Sequence, residues 1–341
     1  TWNFSYRTIN VKDIQKIFSS YFNFFGNKKN SFKKINKKTE IQNAFKILKI
    51  NNETSTWKEI DMKYKKLVKK YHPDKNNGNK KYEETLKKIN QAFTIVKKFF
   101  PKKIDLNLLE HTSPNLYNEN LNFLFEYFNS DKGEFFVDQY VQPIKKNYKK
   151  IPAHDYSKFY EKFFFDIKEK QCNILELGSF YGHASASLFF YFKYSTIYSG
   201  DIYPDLFRYK SERINNFFID TSSEDSIKKT LLNKKISFDI IIEDAGHFLK
   251  DQIISLFLLF KKLNPGGLFI TEELDFPDTR KDMNINNEKP TLKNILISII
   301  EKKEFDSKYI LEDDKRYLLE NYAFIEIFKG SVNEIAFIKK K

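Results

Sequence analysis

The residues best placed to do chemistry in this 341-residue chain fall at the ends of two short apolar runs. Ile240, Ile241 and Ile242 lead into Glu243, Asp244 and His247, and Leu268–Thr271 leads into Glu272, Glu273 and Asp275. Carboxylates and an imidazole are groups that hold polar ligands and move protons. An apolar helix candidate and an Asn264-Pro265-Gly266-Gly267 turn separate the runs, which reads as strand, helix, strand. Such a unit lays its two strands parallel, so both sets of acids emerge at one sheet edge, where open α/β folds bind ligands.

The elements that must position this edge are legible from Cys172 onward, where strand and helix patterns alternate. Strands are expected at Asn173–Leu177, Thr196–Tyr203, Asn216–Ile219, Phe238–Glu243 and Leu268–Glu273. Helices are expected at Ala184–Phe192, Ser223–Leu232, Asp251–Leu263 and Leu292–Lys302. The closing YAFIEIFKGSVNEIAFIKK reads as two strands joined by a Gly-containing turn. The expected fold is a mostly parallel sheet with a C-terminal antiparallel hairpin. Gly178 and Gly182 let backbone approach a ligand after the first strand, but their spacing is not the GxGxxG of dinucleotide sites. Asp201 ends the second strand, where an acid can accept hydrogen bonds from ribose hydroxyls.

Five alternating units closed by a hairpin resemble class I S-adenosylmethionine-dependent methyltransferases, which have a Rossmann-like α/β fold. The resemblance implies that Glu176 supports the loop around the cofactor's methionine part, which Gly178 and Gly182 let approach. Asp201 would take the ribose and Asp220 the adenine, with Glu243 also on the cofactor side.

A narrower resemblance rests on SDKG, HDYSKFYEKFF, ILELGSFYGHAS, FDIIIEDAGH and LNPGGLFITEEL in that order. It is to the macrocin and mycinamicin sugar O-methyltransferases and covers about residues 120–275. It implies Asp244, Glu272 and Glu273 as ligands of Mg²⁺ and His247 as general base toward a sugar hydroxyl. A hydroxyl is too weak an acid to attack a sulfonium unaided, and a hard cation held by oxygens lowers its pKa. Clustered carboxylates without a cation would repel one another and take up protons. The family's Asp-Asp-Gly-Ser-His is Glu243-Asp244-Ala245-Gly246-His247 here, with Gly246 expected to supply the turn's freedom, and Glu273 replaces an Asp. His154 reads equally as a further site residue and as a structural loop histidine.

The first hundred residues have another character. Asn10–Phe25 fits an amphipathic helix, followed by a basic connector. Three helical segments follow: Thr39–Leu48, one opened by a Thr56/Glu59 capping box, and Lys80–Phe100. Pro73 breaks the chain between the last two at His72-Pro73-Asp74. Three helices, a basic second helix and this tripeptide resemble the J-domain of DnaJ-type cochaperones over about residues 40–100. That implies a DnaK-type chaperone as partner, met by His72, Pro73 and Asp74 and by Lys66, Lys69 and Lys70. Nothing similar to a Gly/Phe-rich linker or a cysteine zinc module follows. The expected organisation is an N-terminal helix and linker (1–38), a J-domain (39–100), a linker (101–119) and a methyltransferase-like domain (120–341).

Charge separates the two halves. Residues 1–104 carry a net +18 and the rest −4, an asymmetry that no uniform coding bias produces. Cys172 is the only cysteine, which excludes a disulfide framework and a cysteine zinc site and suits the cytoplasm or another reducing compartment. No run of 18 apolar residues exists and no signal-peptide h-region opens the sequence. The leading reading is a metal-dependent O-methyltransferase acting on a hydroxyl-bearing small molecule or glycan. The alternatives are a cochaperone whose second domain only binds a client, and a nucleic-acid methyltransferase, against which the −4 of the second half counts. A homo-oligomer is left open.

Overall fold

The computed structural model describes residues 43–50, 57–76, 79–97, 103–138 and 150–341. The helix expected at Asn10–Phe25, the basic connector and the Thr56 capping box lie outside these. The chain divides into two units that part between residues 102 and 103.

In the first unit a short helix at 43–47 accompanies α1 (Trp57–Tyr71) and α2 (Lys80–Lys97). Ile60 and Leu67 on α1 and Ile89, Ala92 and Val96 on α2 recur at helical spacing, and with Ala44, Phe45 and Leu48 they form the core. The Tyr64 and Phe93 rings stack with centroids 3.7 Å apart. Pro73–Lys75 form one 3₁₀ turn between the helices. The Asn76 side-chain amide donates to the Lys70 carbonyl at 3.0 Å and the His72 carbonyl at 2.9 Å, which braces the base of this turn. Lys66, Lys69, Lys70 and His72 are exposed.

The second unit is built on a seven-stranded sheet of β1 (Asn173–Leu177), β2 (Thr196–Asp201), β3 (Ile214–Phe218), β4 (Phe238–Glu243), β5 (Leu263–Thr271), β6 (Tyr322–Lys329) and β7 (Glu334–Lys340). Its order is β6-β7-β5-β4-β1-β2-β3, with β1 to β5 parallel and the β6–β7 hairpin antiparallel. This is the layout that the alternating pattern implied. Register matters for the site: Leu177 pairs with Glu243 and Glu243 with Thr271, so the acids after β4 and β5 emerge at one level.

Side chains alternate along the strands and build two core layers. Ile174, Ile240, Ile242, Ile270 and Phe337 face α3 (Leu106–Thr112), α4 (Leu121–Tyr127), α5 (Ser157–Phe164) and α6 (His183–Tyr191). Leu175, Ile241, Phe269 and Ile338 face α7 (Leu249–Leu259), α8 (Leu292–Ile300) and α9 (Glu312–Asn321).

Several elements differ from expectation. Residues 103–119 read as a connector, yet Asp105 caps α3 and Leu106 and Leu116 are buried in the core. The charged α9 has no apolar stripe to announce it; of its residues only Leu318 and Asp314 are buried. β5 takes in the Asn-Pro-Gly-Gly segment, and the helix expected at Ser223–Leu232 is one α-turn running into a wider π-turn.

Arg213 fastens the α3 segment to the sheet. Its guanidinium donates to the Phe192, Ser195 and Phe189 carbonyls and to the Tyr117 hydroxyl, and lies 3.6 Å over the Phe189 ring. Arg213→Ala removes these bonds, although Ser195 N still donates to the Phe192 carbonyl and the Tyr117 hydroxyl keeps Glu110, and should cost roughly 1–3 kcal/mol in urea unfolding. Arg213→Lys should recover only part, because an ammonium cannot reproduce the fork; full recovery would show that charge alone matters.

Candidate active site

Two loops meet at the sheet edge. After β1 the chain turns at Gly178 with φ +85°, and a Cβ there would stand 1.8 Å from the Asp244 carbonyl oxygen. Only glycine fits, so the loops after β1 and β4 abut through backbone. Gly182, with φ +79°, begins α6 against the Phe207 ring. Asp201 ties the first loop to the next turn: its oxygens accept from Phe180 N at 2.7 Å and Tyr203 N at 2.6 Å. A carboxylate retains further lone pairs after two such bonds. Beneath the loop, Glu176 accepts from the Ser185 hydroxyl, which lies 2.7 Å from that of Ser199. Burial pushes its carboxyl up to about 7. Asp220 accepts from Ser222 N and Oγ and holds the turn after β3.

The acids gather on the other side of that backbone contact. Asp244, His247 and Glu273 each offer one ligand atom within 4.8 Å of the others. His247 Nε2 lies 3.7 Å from Asp244 Oδ1 and His247 Nδ1 lies 3.6 Å from Glu273 Oε2, both beyond hydrogen-bond reach. Glu273 Oε2 and His247 Nδ1 are buried and have no hydrogen-bond partner among the described residues. Such atoms are costly unless something else satisfies them, and a carboxylate pair with an imidazole suits a divalent cation. His247 and Glu273 both have positive φ, at 55° and 44°, whereas Gly246 does not. The freedom expected of Gly246 is therefore taken by His247, and Glu273 holds a positive φ of its own in the loop after β5. Burial draws the His247 imidazole down to about 4 against the pull of Asp244, leaving it neutral at neutral pH. Burial, with Asp244 and Glu272 alongside, pushes Glu273 well up.

Glu272 is placed differently. Its Oε2 accepts from Lys132 Nζ at 2.8 Å and its Oε1 from the Tyr160 hydroxyl. The Lys132 ammonium also pairs with Asp244 Oδ2 and is only 2% exposed. Burial disfavours its charge, but Asp244 and Glu272 together outweigh burial and hold its pKa above the usual lysine range. Sequence reasoning saw only a turn at Ser130–Gly133, because a lysine in a polar turn normally faces water. Tyr160 was hidden in the apolar stripe of α5. The one available signal was that both lie in segments carrying the sugar O-methyltransferase resemblance.

His154 belongs to the site. Its Nε2 stands 3.1 Å from Glu273 Oε1 and its Nδ1 3.1 Å from Asn333 Nδ2, in the β6–β7 turn. The Asn333 amide nitrogen can only donate, so Nδ1 is the accepting nitrogen and Nε2 the one that faces Glu273 with a proton. Burial keeps this imidazole below its ordinary pKa.

Glu243, fully buried, receives one long bond from Ala245 N at 3.4 Å, and burial, reinforced by Asp244, raises it to about 8. Its unfolded value lies near 4.5, so between those limits the folded state binds the extra proton and stability falls as pH rises. In metal-free protein Glu243→Gln should flatten that loss between about pH 5 and pH 8, a slope of up to about 1.4 kcal/mol per pH unit. Urea unfolding at both pH values measures it; an unchanged slope would show that Glu243 is ionised throughout.

Residues 43–103 match the DnaJ domain family model. Over 52 residues the chain is 46% identical to the chaperone protein DnaJ of Anaplasma marginale, covering 15% of this chain and 14% of that one. Over 128 residues it is 28% identical to the 8-demethyl-8-alpha-L-rhamnosyl tetracenomycin-C 2'-O-methyltransferase of Streptomyces olivaceus, covering 36% of this chain and 33% of that one. The matches thus span about a third or less of these relatives. Among solved structures, the MycE methyltransferase of the mycinamycin pathway, in complex with Mg and SAH, aligns with TM-score 0.49 and 19% identity over 65% of this chain and 55% of its own. Among the described residues no helix is long and apolar enough to cross a membrane. The chain joins a DnaJ domain to an α/β domain whose sequence resembles that of a rhamnosyl tetracenomycin-C O-methyltransferase.

Proposed function

We propose that the α/β domain transfers a methyl group from S-adenosylmethionine to a hydroxyl of a sugar or glycosylated acceptor, beside a divalent cation such as Mg²⁺. The observation that carries this reading is the contact of Gly178 with the Asp244 backbone, which sets a cofactor loop against the acid cluster. An electrophile held by one loop then lies beside a nucleophile held by the other. Glu176, Gly178 and Gly182 shape the methionine side, Asp201 has lone pairs left for ribose hydroxyls, and Asp220 and Glu243 flank the same edge. Asp244 and Glu273 would hold the cation, which when bound would supply Lewis acidity that lowers the acceptor hydroxyl's pKa. Neutral His247 takes the hydroxyl proton on a ring nitrogen. The oxygen then attacks the sulfonium methyl, the carbon–sulfur bond breaks, and its electron pair stays on the sulfur of S-adenosylhomocysteine. In this reading Glu272, with both oxygens engaged by Lys132 and Tyr160, orients the cluster rather than ligating.

The DnaJ domain recruits a DnaK-type chaperone through His72-Pro73-Asp74 and the exposed Lys66, Lys69 and Lys70, a cationic face suited to an acidic surface. The lone, buried Cys172 thiol fits a reducing compartment.

Calorimetric titration with S-adenosylmethionine, with and without Mg²⁺, tests the enzyme reading, and absence of binding in both conditions would remove it. His247→Ala should lower turnover about 10²–10⁴-fold with cofactor affinity unchanged. Loss of cation binding in that variant would make the imidazole a ligand instead of the base. His72→Gln should abolish stimulation of DnaK ATPase. Asn76→Ala, which unbraces the turn, should weaken stimulation and cost about 1 kcal/mol of stability in the first unit; wild-type stimulation would show that the turn needs no brace.

A further inference from the structure

The acid cluster carries a counter-ion of its own, and its two halves are furnished differently. Lys132 Nζ sits between Asp244 Oδ2 and Glu272 Oε2, and the Tyr160 hydroxyl takes the other Glu272 oxygen. Asp244 is shared: its Oδ2 faces the ammonium while its Oδ1 faces His247. Glu273 Oε1 lies 3.1 Å from His154 Nε2, and its buried Oε2 faces His247 Nδ1 with no hydrogen-bond partner among the described residues. One half is therefore filled with positive charge and the other is lined by unsatisfied atoms.

We propose that Lys132 is a positioning residue that fills the cation place between Asp244 and Glu272 and restricts the site to a single divalent ion, on the Asp244–His247–Glu273 side. This rests on the metal reading above. A pair of divalent ions sharing one acid cluster sits about 3.5–4 Å apart. The ammonium occupies the volume that a second ion would need and repels it at short range. Being tethered, it stays there without any binding equilibrium. It also draws Asp244 away from the open half and so weakens that half as a ligand set. Loss of this ammonium must therefore strengthen divalent-ion binding. A lysine that merely pinned the 130–133 turn would have the opposite signature, since its loss would loosen the cluster and weaken binding.

The test is titration of the full chain with Mn²⁺, by calorimetry for affinity and electron paramagnetic resonance for the number of bound ions. Wild type, Lys132→Gln and Lys132→Arg are compared. Wild type and Lys132→Arg should each take one ion. Lys132→Gln should take a second ion or bind the first about tenfold more tightly, because removing a like charge about 4 Å away relieves at least that much repulsion. Equal or weaker binding by Lys132→Gln, with no second ion, overturns the proposal. Should Lys132→Gln not fold in metal-free buffer, Mn²⁺ must restore its thermal transition, because one cation replaces another; failure to do so is also fatal. If wild type binds no Mn²⁺ while Lys132→Gln does, the single-ion proposal falls together with the metal reading. If neither binds, both fall.

Discussion

Charge balance inside a buried pocket governs this molecule. Glu243, Asp244, Glu272 and Glu273 converge where β4 and β5 end, and three of the four are almost wholly shielded from water. Carboxylates brought that close either bind protons or find cations. The protein answers with each device in turn: an ammonium from a distant turn, a tyrosine hydroxyl, an imidazole beside Glu273 and a carboxyl that burial pushes toward its protonated form. Once these are assigned, little freedom remains in how the surrounding loops run.

The sheet makes the gathering of acids unavoidable. Parallel strands in register end at one level, so any acid just past a strand end joins its neighbours there. The α/β architecture spreads the supporting groups widely along the chain. Lys132 precedes the first strand of the large sheet, whereas Asn333 lies in its last hairpin. The segment before the sheet is thus part of the site as well as part of the core, and the Arg213 fork secures it.

Much of this was legible from sequence because it is local. The apolar runs Asn173–Leu177 and Phe238–Glu243 announced their strands residue for residue, and the glycines and acids at strand ends marked the edge where the acids gather. The DnaJ region was legible for the same reason, as a helical stripe and a proline break within a short span. What escaped depends on long-range pairing. Lys132 meets Glu272 across 140 residues and Tyr160 meets it across 112, and no periodicity encodes either meeting. The grouping of His247 with Asp244 and Glu273, with Glu272 turned toward the ammonium, follows from backbone torsions that only the folded loop displays. The charged α9 and the 103–119 segment lacked the apolar pattern that reveals an element in isolation.

The glycine at 178 has a thermodynamic corollary. Because its backbone rests on the Asp244 carbonyl with no side chain to cushion the contact, neither loop can shift without the other. Two ligands held on opposite sides of such a contact share one free-energy term. Whatever factor the first imposes on the affinity of the second, the second must impose on the first.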